Sequence, residues 1–409
     1  MNILFLTLLD FKSLDDSNLY TDLLRVFIRQ GHTVYVVTPL ERREKKRTYI
    51  VNGNNSKVLR LKTPNTQKTG IFEKGISLIS VPCLYKRGIS RYFSDIKFDL
   101  VLYSTPPITL TSVVEYVKNR DGAKSYLLLK DIFPQNAVDI GLIGIRGIKS
   151  LIYKHFKRQE KKLYSLSDFI GCMSPANVKY LTTHHPEINR TKIEVCPNCV
   201  DAVDKSITKE KKQAIRVKYG IPQDKLVFVY GGNLGKPQGI PFLIECLKVE
   251  QENKNIFFLI VGNGTEYSKL NDYITSSKQA NAKLLQRLPK EDYDTLVAAC
   301  DVGMIFLDHR FTIPNFPSRL LGYMQAKLPV LAVTDPNTDI GDVITKGGFG
   351  WWCESDDPIN FSDLIHDIKK SSIEVMGNRA FEYLNEHYDV RIGYGVIMDK
   401  VSENENPCI

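Results

Sequence analysis

"KLVFVYGGNLGKPQGIPFLIECLKVE", residues 225–250, sets the architecture of this chain. Leu226 to Tyr230 form a short apolar run, rich in Val and aromatics, that ends in glycines. That is the signature of a strand covered on both faces. Gly231, Gly232 and Gly235 mark a turn, and the apolar residues from Ile240 onward return at helical spacing.

Working outward, the same strand–turn–helix unit recurs. Toward the C-terminus come strands "NIFFLIVGNG" (255–264), "AKLLQRL" (282–288), "VGMIFLDHR" (302–310) and "PVLAVTD" (329–335), alternating with helices such as "KEDYDTLVAACD" (290–301). Toward the N-terminus come "NILFLTLL" (2–9), a helix "NLYTDLLRVFIRQG" (18–31) closed by Gly31, "HTVYVVTP" (32–39), "DLVLYSTPP" (99–107) and "KSYLLLKDIFP" (124–134). Alternation of this kind predicts an α/β protein with parallel sheets covered on both faces. The polar stretch "DAVDKSITKEKKQ" (201–213) predicts a boundary between two doubly wound, Rossmann-like domains, residues 1–203 and 204–385. Residues 386–409 are expected to form a C-terminal helix and tail that crosses back to the first domain. Ligands of such sheets bind beyond the carboxyl ends of the strands. The two crests are therefore expected to line a cleft between the domains.

Bulk composition narrows the function classes. The start, "MNILFLTLLDF", lacks a basic region and is broken by Asp10, so it reads as a buried strand rather than a signal peptide. No run approaches the ~18–20 apolar residues of a membrane span, and a cytoplasmic protein is expected. The eight cysteines are scattered, and Cys196 and Cys199, a C-x-x-C, have no second ligand pair; free buried thiols are expected. Residues 1–200 hold 31 Lys and Arg against 17 Asp and Glu, whereas residues 201–409 hold 24 against 29. The basic first half points to an anionic partner. Seven of those cations fall in "IRGIKSLIYKHFKRQEKKLY" (145–164), with Ile148, Leu151, Ile152 and Phe156 at helical spacing. Such a helix can lie on an anionic bilayer, joined by the segment 70–93; the bland alternative is a solvated helix with an ordinary core face. Nucleic-acid binding would need basic residues interleaved with exposed aromatics along a groove, and the segment 145–164 is too short to carry one.

Two features of the second half seek anions. The turn 230–239 exposes backbone N–H groups at Gly231 and Gly232 and adds the point charge of Lys236. It has neither dinucleotide nor P-loop spacing. In "PNFPSRLL" (314–321), Pro317 suits the first helical position, followed by Ser318 and Arg319, and no acid lies from Phe311 to Gln325. Arg310, in "DHR", is a second candidate anchor. Gly262 and Asn263, at the end of the next strand, and Arg287 frame the rest of a pocket.

The order of "YGGNLGKPQGIPFLIECL", "FFLIVGNGTEYSKL", "LPKEDYDTLVAACDVGMIFL" and "PSRLLGYMQAKLPVLA" resembles glycosyltransferase family 4, of GT-B fold. "LLRVFIRQGHTVYVVTP", "EKKLYSLSDFIGCMSPANVKYL" and "IEVCPNCVD" agree in the first half. The nearest flavour is the capsule and O-antigen aminodeoxyhexose transferases. The resemblance implies a retaining, metal-independent enzyme without cofactor. Its substrates would be a nucleotide-sugar donor, UDP-linked and carrying an N-acetylated aminodeoxyhexose, and a polyprenyl-diphosphate-linked glycan. It would sit peripherally at the inner face of the plasma membrane. It places Gly232, Asn233, Lys236, Ser318 and Arg319 at the donor, with Arg310 and Lys236 stabilising the leaving diphosphate. Asp131, after a buried strand, matches an acid of related sequences and would orient or deprotonate the acceptor hydroxyl. Asp15, Asp16 and Asn18 would touch the transferred sugar. The chain departs from the family at Pro314 and Gly322, where a pair of Glu residues is expected. Two rivals stay open: a GT-B nucleotide-sugar 2-epimerase, which usually needs more cleft acids and histidines than can be placed here, and a non-catalytic sugar-binding scaffold, which the missing acids make credible. "DYD" (292–294) reads as solvated helix surface rather than a metal motif.

Overall fold

The computed structural model describes residues 1–65, 71–147 and 149–403. Two compact units emerge. One is Met1–Asp201 together with the last helix, Val390–Glu403; the other is Ala202–Asp389. The expectations placed on Gly70, Ile148 and Cys408 fall outside the described residues.

The first unit is built on an eight-stranded sheet. Its strands are β1 (Asn2–Leu6), β2 (Thr33–Glu41), β3 (Tyr49–Gly53), β4 (Ser56–Thr63), β5 (Leu100–Ser104), β6 (Lys124–Leu129), β7 (Phe169–Cys172) and β8 (Ile193–Val195). They lie in the order β3-β4-β2-β1-β5-β6-β7-β8, parallel except for the β3–β4 hairpin. Central strands such as β5 are buried at every residue, which is why they read as unbroken apolar runs. The first helix, Leu19–Arg29, begins where Asn18 Oδ1 accepts the backbone N–H groups of Tyr20 and Thr21 (2.9 and 3.1 Å). It buries Leu23, Leu24, Val26 and Phe27 against Ile3, Phe5, Val34 and Val36. The last helix adds Val390, Ile397 and Val401 to that same cluster. Its register is held by Val390 N–H on Val200 O (2.9 Å) and by Tyr394 Oη at 3.1 Å from His32 Nε2. Truncating the fully buried Phe27 to Ala would cost ~3–5 kcal/mol.

The second unit carries β9 (Leu226–Asn233), β10 (Ile256–Asn263), β11 (Ala282–Leu285), β12 (Val302–Phe306), β13 (Val330–Thr334) and β14 (Gly350–Glu354), all parallel. Their order is β11-β10-β9-β12-β13-β14, so the winding direction reverses between β9 and β12. That reversal is the switch point at which open α/β sheets bind ligands. β9 and β10 are paired along eight residues, but β9 and β12 are paired only at Val302–Phe228 and Gly303–Val229. Tyr323 fills the resulting gap: its hydroxyl accepts Gly231 N–H (3.2 Å) and donates to Met304 O (3.0 Å), bridging the two strands where the ladder ends. A Cβ at Gly303 would overlap the Tyr323 ring, so glycine there is a packing requirement.

Candidate active site

At the end of β9 the chain leaves strand geometry. Gly232 has φ +133°, open to glycine alone at low cost. A Cβ at Gly262 would overlap Gly232 O, and one at Gly264 would overlap the Leu234 backbone, so the β9 and β10 crests touch through glycines. The turn continues through a short 3₁₀ segment, Lys236–Gln238, and ends at Gly239 (φ +57°). Asp308 N–H donates to Pro237 O (3.0 Å), which ties this turn to the segment after β12.

Arg319 lies beneath the turn. It opens the helix Arg319–Gln325, behind Ser318, which sits at the cap in αR geometry without a side-chain cap bond. The helix therefore starts two residues after Pro317, not at it: Leu320 and Leu321 N–H bond back to Pro317 O and Ser318 O (both 3.2 Å) in a tight first turn. The guanidinium stacks on Tyr230, 4.4 Å from the ring centroid, an arrangement worth ~2 kcal/mol when desolvated. Nη2 donates to Gln238 Oε1 (2.6 Å), and a Cβ on Gly232 would stand 3.4 Å from the same nitrogen. Nη1 is buried with no hydrogen-bond partner, and Arg319 has no ion pair among the described residues. Tyr293 and Tyr323 complete the surround, and burial pushes the Tyr293 phenol up to about 12. A permanently charged group held without a carboxylate, with a donor unused, can accept an external anion.

The other cations differ. Arg310, expected as an anion anchor, is already engaged: Nε and Nη2 chelate both oxygens of Asp308 (2.8 and 2.7 Å). Burial opposes ionisation of Asp308, but these bonds hold its carboxyl below the ordinary range. The "DHR" triplet thus supplies its own counter-ion. Lys236 is exposed and forms no ion pair among the described residues. Asn233 and Asn263 end paired strands and are exposed; Asn263 Oδ1 accepts Arg287 N–H (3.4 Å), so Arg287 meets this crest through its backbone. The "DYD" expectation is half overturned: Asp294 is paired with Lys205 and Lys290 (2.9 and 2.8 Å), but Tyr293 packs under Gly231, where a Cβ would overlap its hydroxyl.

In the first unit, Asp131 follows β6. Asn136 Nδ2 lies 2.7 Å from each carboxylate oxygen, and Thr105 Oγ1 both donates to Asp131 O (2.9 Å) and accepts its N–H (3.2 Å). Burial raises its carboxyl from 3.8 to about 6, against the opposing Asn136 bonds. The early-loop residues are committed locally. Asn18 caps the first helix, Asp16 Oδ2 accepts Lys12 N–H (2.8 Å), and Asp15 accepts Ser13 Oγ–H (2.7 Å). Their side-chain acceptors stabilise a turn, which is the commonest use of Asx residues before a helix.

Comparison with known proteins finds a family match in each unit. The Glyco_transf_4 family, Glycosyltransferase Family 4, matches residues 17–203, and Glycosyl transferases group 1 matches residues 211–382, one in each unit. The chain is a GT-B glycosyltransferase. It is 24% identical over 327 residues, 80% of each chain, to WbjE of Pseudomonas aeruginosa, named as a glycosyltransferase. It is 29% identical over 198 residues, 47% of this chain and 44% of the other, to WcaI of Escherichia coli (strain K12), named for colanic acid biosynthesis. Its fold matches Anabaena HepE, solved in complex with UDP, with a TM-score of 0.69 over 98% of this chain and 100% of that one at 15% identity. For this glycosyltransferase, the positions expected to carry glutamates are a buried Pro314 and an exposed Gly322, and no atom lies within 4 Å of a Cβ built on Gly322. Sequence reading missed Tyr230, Gln238, Tyr293 and Tyr323. One signal was available: Tyr323 lies four residues after Arg319, on the same helix face.

Proposed function

We propose that this enzyme is a retaining, nucleotide-sugar-dependent glycosyltransferase of surface-polysaccharide assembly. Its donor would be a UDP-linked, N-acetylated aminodeoxyhexose and its acceptor a polyprenyl-diphosphate-linked glycan of the capsule or O-antigen kind. The observation that carries this reading is the carboxylate-free guanidinium of Arg319 with its buried, unused Nη1 beneath Gly232. A diphosphate resting on the Gly232 turn would meet Arg319 from below and Lys236 from the surface. As the bond from the anomeric carbon to the diphosphate breaks, its electron pair passes to the phosphate oxygen, where these cations stabilise it. The acceptor hydroxyl oxygen forms the new bond, and Asp131 takes up its proton; a carboxyl near pH 6 is suited to that at neutral pH. UDP in HepE and colanic acid in the name of WcaI support the donor and pathway class.

A peripheral position at the inner membrane face fits the basic helix Lys149–Leu166. No described helix is long and apolar enough to cross a membrane. Leu142, Ile145, Leu151 and Ile152 are 57, 57, 65 and 53% exposed, beside exposed Arg146, Lys154 and Arg158, while Phe156 packs inward on Phe133 (ring centroids 4.9 Å). Apolar tips ringed by cations suit an anionic lipid surface. The deciding experiment supplies UDP-sugars and a polyprenyl-diphosphate glycan on vesicles containing anionic lipid. Transfer with retained anomeric configuration is expected, and a Leu151→Glu/Ile152→Glu variant should stay soluble while losing vesicle co-sedimentation. Nucleotide-sugar epimerisation without acceptor, or no turnover with any donor, would overturn the reading.

A further inference from the structure

We infer that Gln238 is the positioning residue that keeps Arg319 both aimed and charged, by accepting its hydrogen bond with a neutral oxygen where a carboxylate would cancel the site. The inference rests on the donor-site reading above. Gln238 Oε1 is the side-chain acceptor that holds Arg319 Nη2, at 2.6 Å. The same oxygen stands 3.1 Å from Tyr230 Oη, the phenol whose ring carries the guanidinium. Ring and amide together fix the plane and one edge of the guanidinium, and Nη1 is left over. The position of Gln238 is itself fixed. Gly239 ends its turn in the left-handed region, and a Cβ there would stand 3.3 Å from Asp308 Cα. Asp308 N–H holds Pro237 O, and Asp308's carboxylate is occupied by Arg310. Asp308, its carboxylate chelated by Arg310, thus anchors through its backbone the turn that presents Gln238.

This arrangement has a signature that ordinary structural support lacks. A Gln238→Glu variant gives the half-buried arginine a counter-ion, so the fold should hold or gain thermal stability while anion affinity falls. Gln238→Ala frees the guanidinium and strips Arg319 Nη2 of its acceptor, whereas Tyr230 Oη keeps Asn233 O (2.8 Å), so stability and affinity should both fall. The test measures UDP, GDP and pyrophosphate binding by calorimetry, with melting temperatures, for both variants alone and in an Arg319→Gln background. For the tightest ligand, Gln238→Glu should weaken binding about tenfold or more at an unchanged or higher melting temperature, with a shallower salt dependence. In the Arg319→Gln background the same substitution should change affinity less than twofold, because its effect runs through the arginine. Binding by Gln238→Glu within twofold of the parent, or a fall in affinity matched by a fall in melting temperature, would overturn the inference. If the parent itself binds none of the three ligands, the donor-site reading falls and this inference with it.

Discussion

The crest of the first sheet and the crest of the second are built from the same strand-to-loop geometry but treat charge oppositely. At the crest of the first unit the charges are held by carboxylate, amide or loop partners, although Arg60 Nε is itself buried without one. Arg60, fully buried, is held by Asp10 and Glu44 and by Tyr49 Oη at 3.1 Å; Asp131 is held by Asn136; Asp15 and Asp16 are held by their own loop. In the second unit Arg319 is half-buried with neutral neighbours, and its Nη1 is buried and idle. A buried, unpaired charge costs several kcal/mol of folding free energy. On the proposed reading, its place at a switch point is where the molecule would give up stability for recognition. The closed crest would offer one titratable acid to a neutral hydroxyl, and the open crest a cation to an anion.

The sharpest way to test that division is at Asp131. Asp131→Asn should lower kcat by ~10²–10⁴-fold with little change in UDP affinity. In the parent, kcat/KM should rise with pH through about 6 as the carboxyl ionises. The stability contribution has the opposite sense. The folded-state value lies above 3.8, so stability from this group is full below 3.8 and is lost as pH climbs through about 6. Asp131→Asn should remove that slope, read from chemical denaturation at pH 4 and pH 8. A variant with parental kcat would remove Asp131 from the reaction.

The second comparison lies within one crest. Arg319→Gln should weaken UDP binding by about 10–100-fold, the worth of a charge-assisted bond or two, while the melting temperature holds or rises because a desolvated charge is gone. Arg310→Gln should do the reverse. It leaves Asp308 without its chelating partner, so stability drops modestly and UDP affinity changes by less than about threefold. Calorimetry and thermal melts on the two variants check both. Equal losses of affinity would return Arg310 to the role that the sequence first assigned it.

Why the sequence could not show the pairing of Arg310 is instructive. Strand and helix boundaries around β9 follow from Leu226–Tyr230 and its glycines, because burial on both faces leaves no polar residue to blur the pattern. The reading of "PSR" as an anion site rests on the absence of acids between Phe311 and Gln325. Pairing was not legible. Asp308 sits two residues from Arg310, and only the backbone bend after β12 brings its two oxygens onto one guanidinium. Conversely, Gln238 and Arg319 are 81 residues apart, and their contact depends on the strand order β9-β12, which local periodicity cannot set. Asn18 was readable: an Asn three residues before Thr21, at the start of an apolar helix, is a cap before it is a ligand.

The smallest effect concerns Gly322, where a glutamate was expected. It lies in the middle of the helix Arg319–Gln325, exposed, with open space where a side chain would go. A glycine in a helix interior without a positive φ has no conformational reason to be there and costs up to ~1 kcal/mol relative to alanine. Gly322→Ala should therefore raise stability by about 0.5–1 kcal/mol, a gain of roughly 1–4 °C for a unit of this size. UDP affinity should stay within twofold, because the described protein leaves room for a methyl group. Loss of affinity without loss of stability would show instead that the bound nucleotide lies against this helix face. The contrast between the crests would then extend one turn beyond Arg319, with the missing side chain serving as space for the ligand.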